Sequence, residues 1–206
     1  MTSFLLPRLR AGRRPVGRWG KSGSALWHVL ACGLGLAALL NGSMRGQELA
    51  PSEYQVKAVW LLNFARFAEW PTNAFPDPRA PFVVGVVGKD PFGKNLERAF
   101  EGKVFKGRPF AFKRISSRVQ TQGCHILFIP SSEGRRIRDW PERLKGEAVM
   151  TVSEVEGFLD YGGTVNFVLK DNTVRFEINV KAAQSAGLKL NANLLKVAVM
   201  VKGKYD

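Results

Sequence analysis

The chain has 206 residues, with 31 Lys and Arg against 17 Asp and Glu for a formal net charge of +14, and only two cysteines and two histidines. Seven basic residues and no acidic one fall in positions 1–46, so 24 Lys and Arg face 17 acids in the remainder, a net +7. Those later charges alternate in sign rather than forming a basic arm or helix, which argues against a nucleic-acid partner and fits work near an anionic membrane surface.

The order of the first segment is informative. Arg8, Arg10, Arg13, Arg14, Arg18 and Lys21 precede an apolar stretch at 25–40, and Asn41, Gly42 and Ser43 make a polar exit. This is the order of a secretory signal peptide. Residues 1–46 are expected to be that signal and 47–206 the exported domain, placed in the periplasm; no clean A-x-A site precedes Gln47, so the cut stays open. A membrane anchor is the rival reading, but the apolar stretch falls short of the roughly 18 to 20 residues a spanning helix wants. Arg13 and Arg14 hint at twin-arginine export, yet Pro15, Val16 and Gly17 fit it poorly. Val29 to Cys32 looks like a lipoprotein box, yet apolar sequence continues to Leu40.

The remaining stretch, about 160 residues, suffices for one domain with a real core and is too short for two. It keeps one cysteine, Cys124, and one histidine, His125. An internal disulfide is therefore excluded, and a His/Cys metal site lacks ligands. Cys124 is expected as a buried thiol in a strand, with an intermolecular bridge as the alternative.

Ser52 with Gln55 forms a capping box that opens a helix over 53–70, closed by Pro71. Val56, Trp60, Phe64 and Phe67 make one stripe at helical spacing and Tyr54, Ala58, Leu61 and Ala65 another, so the helix must bury more than one face. Lys57, Asn63, Arg66 and Glu69 are its few polar positions. A buried strand at 82–88 leads through a Gly/Pro loop to a short helix at 92–100. Short strands follow at 104–105 and 109–115, and the apolar run 124–129 predicts a central strand covered on both faces. Ser131 or Ser132 is expected to cap a basic helix around 134–144, broken by Pro141. A strand at 148–152 precedes a Ser153/Glu156 capping box with one helical turn. Strands at 164–169 and 173–180 flank an Asp171-Asn172 turn. Helices at 182–186 and 192–201 close the chain, the second capped by Asn191. Alternation of this kind predicts an α/β fold: a single three-layer domain whose central mixed, largely parallel sheet is flanked by helices.

Candidate chemistry is sparse. Gly88-Lys89-Asp90-Pro91-Phe92-Gly93-Lys94-Asn95 is one residue from a phosphate-binding P-loop, but Asn95 replaces the magnesium-binding hydroxyl and Pro91 removes a backbone N–H. A turn is the plain account; weak anion binding at Gly93, Lys94 and Asn95 is the alternative. His125 lies in a buried strand, no G-x-S-x-G elbow occurs, and Glu154, Glu156 and Glu177 form no evident catalytic pair. No catalytic, metal or cofactor site is expected, and the chain is not expected to be an enzyme.

The run from Tyr54 to Pro71 (YQVKAVWLLNFARFAEWP) resembles the opening helix of the YfiR family, also labelled DUF4154. Further matches follow in order: VGVVGKDPFG, GCHILFI, VMTVSEVEGF, GGTVNFV, VRFEIN and AGLKLNANLL. The resemblance implies a single α/β domain, often dimeric, that acts as a periplasmic inhibitor. Such a protein binds the outer domain of an inner-membrane signalling protein, a diguanylate cyclase in the best-known members, and so lowers cyclic-di-GMP and biofilm formation. The alternative is a periplasmic small-ligand sensor for another membrane receptor. Well-known members carry disulfides, one using the cysteine that matches Cys124; no second cysteine stands in this domain, so redox control is not carried over. Part of the partner contact is expected on the aromatic first helix at Trp60, Phe67 and Trp70.

Overall fold

In the computed structural model, which describes residues 52–203, the first helix starts where the sequence places it. The expected leader, 1–46, lies outside the described residues. Helix α1 (Glu53–Phe67) opens on the full capping box: Ser52 N–H donates to Gln55 Oε1 at 2.6 Å and Gln55 N–H to Ser52 Oγ at 3.4 Å. It ends three residues before the expected stop. Ala68 is already extended, and β1 (Ala68–Glu69) pairs antiparallel with β9 (Lys189–Leu190). Two forces agree here: the strand pairing holds Ala68 and Glu69, and Pro71 drives the residue before it out of helical geometry.

The main sheet has eight strands in the order β10-β8-β7-β6-β5-β2-β4-β3. In chain order these are β2 (Phe82–Val87), β3 (Val104–Phe105), β4 (Arg108–Ile115), β5 (Ile126–Ile129), β6 (Met150–Ser153), β7 (Val165–Lys170), β8 (Thr173–Asn179) and β10 (Met200–Lys202). Five neighbouring pairs are parallel; β7 with β8 and β3 with β4 are antiparallel hairpins. The strand expected at 124–129 is central, between β2 and β6, but begins at Ile126, with Cys124 and His125 before it and every residue of the strand buried. The β7–β8 turn places both Asp171 (φ 50°) and Asn172 (φ 56°) in the left-handed region, the geometry of a two-residue hairpin turn.

Each sheet face carries its own core, giving three layers. On one face Val84, Val86, Phe128, Val152 and Phe176 pack under α1 and α2 (Asn95–Phe100), together with Ala183 of α4 (Val180–Ser185) and Leu194 of α5 (Ala192–Val197). On the other, Leu127, Ile129 and Val149 pack against Ile137, Phe158 and Trp140 of α3 (Asp139–Arg143). Burial of these large apolar side chains, at roughly 1.5–3 kcal/mol each, outweighs any single polar contact in holding the layers together.

Several local expectations are corrected. The basic segment after β5 is a 3₁₀ turn, Ser131–Arg136, followed by the short α3; neither serine caps it, and Pro141 sits in the first turn of α3, where a missing N–H costs little. Ser153 caps nothing helical. It ends β6, fully buried, donating to the Ile129 carbonyl at 2.8 Å, and the turn that follows is a 3₁₀ turn at Phe158–Tyr161. The last helix ends at Val197. The Val199 N–H bonds the Phe176 carbonyl and β10 joins β8, a choice favoured by the β-branched Val197, Val199 and Val201.

Candidate interaction surface

Helix α1 buries Ala58, Leu61, Leu62, Phe64 and Ala65 against the sheet and turns a second apolar stripe outward. Trp60 is half-buried, stacked on Phe64 (6.0 Å) and edge-on to Phe176 (4.6 Å). Phe67, seven residues on and so on the same side of the helix, is 36% exposed, and Val59 is 48% exposed. Beside Phe176 the chain adds Val199, with Val197 and Met200 also exposed. Val59 lines a shallow pocket with Gln55, Val56, Asn95, Arg98 and Ala99, on the side of α1 toward α2.

The three aromatic residues expected at a partner interface are divided by the fold. Trp60 and Phe67 share the exposed side of α1. Trp70 lies beyond the end of the helix, only 8% exposed, wedged edge-on against Phe82 (4.9 Å) and Phe105 (5.9 Å). Val199 and Met200 come near Trp60 through β8, where the Val199 N–H bonds Phe176, which Trp60 touches, and Met200 stands opposite Glu177. Val59 belonged to neither stripe in the periodicity, and Val199 and Met200 fell in the expected extension of the last helix, 198–201, which does not form.

The loop at 88–95 is a tight turn. Gly88 and Gly93 have φ near 60°, and Asp90 Oδ1 accepts the Phe92 N–H at 2.8 Å. Phe92 is buried against Tyr54 and Phe128. Asp90 pairs with Arg114 at 2.5 Å, and Glu133 Oε1 stands 2.6 Å from where a Cβ on Gly88 would lie. Gly93 and Lys94 are exposed and Asn95 half-buried at the start of α2. The carboxylates of Asp90 and Glu133 thus crowd the part of this loop in which a phosphate cradle would form.

One polar cluster holds α1 in place, and its role is not visible in the sequence pattern. Lys57 is 3% exposed; its ammonium donates to Glu154 at 2.5 Å and also pairs with Glu53. Glu154 further accepts the Tyr54 hydroxyl (3.2 Å) and the Ser131 N–H (2.9 Å). Burial works to raise the Glu154 pKa, but the bonds from Lys57 and Ser131 and the Lys57 charge bring it below the ordinary carboxylate range. Tyr54 is pushed up to about 12 by burial and by Glu154. Glu154 follows β6 and Ser131 follows β5, so the start of α1 is bolted to the carboxyl ends of two central parallel strands. The available signal was Lys57 itself: a lysine in a helix apolar on most sides has to be buried and paired.

His125 is buried between stacked Phe75 and Phe82 rings, accepting the Val83 N–H at Nδ1 (3.0 Å) and facing the Ala74 carbonyl with Nε2 (3.1 Å). Burial lowers its pKa to about 4. Cys124 beside it is buried, and burial pushes its thiol up to about 11. Among the described residues no group of three His, Cys, Asp or Glu could hold a metal, and no helix is long and apolar enough to cross a membrane.

A family model described as YfiR/HmsC-like, DUF4154, matches residues 54–199. No curated protein matches the chain. Among solved structures it is similar to the ABC domain from Streptococcus pneumonia, determined in complex with L-Trp, at 14% identity and a TM-score of 0.49. That alignment covers 72% of this chain and 60% of the other, so the chain spans less than two thirds of that structure.

Proposed function

The chain belongs to the YfiR/HmsC-like family, and from that premise we propose that it is an exported periplasmic regulator that represses an inner-membrane signalling protein, a diguanylate cyclase, by binding its periplasmic domain. The observation that carries the reading is the family match over nearly the whole exported domain, and the exposed apolar surface of α1 around Trp60 and Phe67 supplies a place for the partner. The leader at 1–46 delivers the protein to the compartment in which such a domain is accessible.

Repression needs no chemistry. A protein that binds the inactive state of a receptor more tightly than the active one shifts the population toward the inactive state by that difference alone. A hundredfold preference, about 2.7 kcal/mol, turns an evenly balanced receptor almost wholly inactive. Phe67, Val59 and Trp60 removed from water at about 25 cal/mol per Å² are a sufficient source of such a difference if only one receptor state presents a complementary surface.

A photo-crosslinking residue at position 67, introduced into the chain in its native bacterium, tests this. The expected product is a covalent adduct with a membrane protein that has a cyclase output. Adducts with soluble periplasmic proteins alone would refute the reading.

A further inference from the structure

The far side of the sheet from β10 has an unfinished edge. Strand β3 covers β4 over only two residues, with Val104 opposite Pro109 and Phe105 opposite Arg108. From Phe110 to Ile115, β4 is paired on one side only, to β2. The Ile115 carbonyl points inward, accepting the Gly88 N–H at 2.9 Å. By alternation, Phe110, Phe112 and Arg114 aim their N–H and C=O groups at the open side. No strand, loop or side chain among the described residues bonds them.

Beside this edge runs a groove of about 710 Å³ between β4 and α2, floored by Phe100, Phe110 and Phe112. Phe100 meets Phe110 and Phe112 edge-on at 4.8 and 5.2 Å, which fixes the floor, and Phe110 and Phe112 stay half-exposed. The rim carries Lys94, Arg98 and Lys103 with Glu97 and Glu101. Arg114 pairs with Glu97 at 3.6 Å and with Asp90 at 2.5 Å, so the charges left facing solvent are three cations and Glu101.

We propose that β4 and this groove receive an extended, acidic segment of a partner protein by strand addition. The open edge supplies the main-chain hydrogen bonds, the phenylalanine floor takes an apolar side chain, and the cations on the groove rim select acidic side chains two residues to either side of it, which share its face. A second copy of the chain fits less well. Antiparallel self-pairing about Phe112 would bring two sets of Lys113, Arg114, Lys103 and Arg98 together, and like charges across paired strands are destabilising. The same cations guard the free edge against aggregation, a role compatible with selective opening to an acidic strand. The site shares Arg98 with the shallow pocket that Val59 lines and otherwise lies on a different strand and helix from Trp60 and Phe67, and neither proposal needs the other.

The test uses the exported protein and a synthetic six-residue peptide with Glu, Phe and Glu at its first, third and fifth positions and Thr between them, followed by amide hydrogen exchange. The expected result is at least tenfold slower exchange at Phe110, Phe112 and Arg114, lost when the peptide backbone is N-methylated. Replacing Glu by Lys in the peptide, or making Arg98→Glu with Lys103→Glu in the protein, should weaken binding at least tenfold. The proposal is overturned by unchanged exchange at these three amides at millimolar peptide, by equal protection from the Lys peptide, or by protection that rises with protein concentration alone. The last result would assign the edge to self-association.

Discussion

Lys57 and Glu154, 97 positions apart, meet at 2.5 Å in a site that both share with almost no water. This pair joins the first helix to the carboxyl end of the central strands, so the helix that carries the proposed binding surface is held by one polar bolt as well as by its apolar face. Removing one partner leaves the other charge buried. Lys57→Met should therefore cost about 3–5 kcal/mol in urea unfolding, with Lys57→Met/Glu154→Gln recovering part of the loss. Because the Glu154 pKa is lowered in the folded state, its contribution is complete above an ordinary carboxylate pKa of about 4.3 and fades as pH falls through the folded value.

His125 sets a second acid sensitivity at higher pH. With a folded pKa of about 4 against about 6.5 unfolded, the unfolded chain binds the extra proton between those values. Stability from this group is complete above about pH 6.5 and is lost as pH falls toward 4, by about 3 kcal/mol in all. Urea midpoints measured from pH 7 to 4.5 should fall, and His125→Gln should flatten the part of that slope between pH 6.5 and 5. Since Nδ1 accepts from Val83, the ring proton sits on Nε2; nitrogen NMR shifts should report that tautomer at pH 7.

Gly85 in β2 lies where a second cysteine would meet the first. A Cβ built there stands 3.0 Å from Cys124 Sγ, the separation a disulfide needs, with Leu127 Cδ1 at 2.9 Å and Ile115 Cγ1 at 3.1 Å crowding it. Gly85→Cys should form an internal bridge closing a loop of about 40 residues, worth about 4 kcal/mol before crowding removes part of it. A net gain of about 2 kcal/mol that disappears with dithiothreitol, together with loss of the free thiol on denaturation, is the expected result. A free thiol in the oxidised, purified variant would show that β2 and the segment before β5 hold the sulfurs apart.

The fold was legible where apolar pattern and turn chemistry agree. The run at 124–129 had to hold a central strand, Ser52 and Gln55 had to start a helix, and Asp171-Asn172 had to turn a hairpin. Legibility failed where tertiary pairing overrode local preference. Ala68 and Glu69 left the helix for β9, Ser153 gave its hydroxyl to Ile129 rather than to a helix start, and residues 200–202 joined β8. For the candidate surface, periodicity marked Trp60 and Phe67 as partners on one stripe, but could not show that Trp70 lies past the helix end and turns inward. Nor could it pair Lys57 with Glu154, because nothing local links a residue of the first helix to one that follows the sixth strand.

The α1 surface predicts a separable class of variant. Phe67→Glu and Val59→Glu change exposed side chains and should move the unfolding free energy by less than about 1 kcal/mol. Trp70→Ala, in the buried aromatic cluster, should cost about 3–5 kcal/mol. Equal destabilisation by all three, measured in urea, would place Phe67 and Val59 in the core instead of on a surface.

The central claim is repression of a membrane cyclase through that surface, and cyclic-di-GMP measured in the native bacterium tests it most directly. Deleting the gene should raise the nucleotide several-fold, the wild-type chain should restore it, and the Val59→Glu/Phe67→Glu chain, exported at equal level, should not. An unchanged cyclic-di-GMP level on deletion would contradict the account.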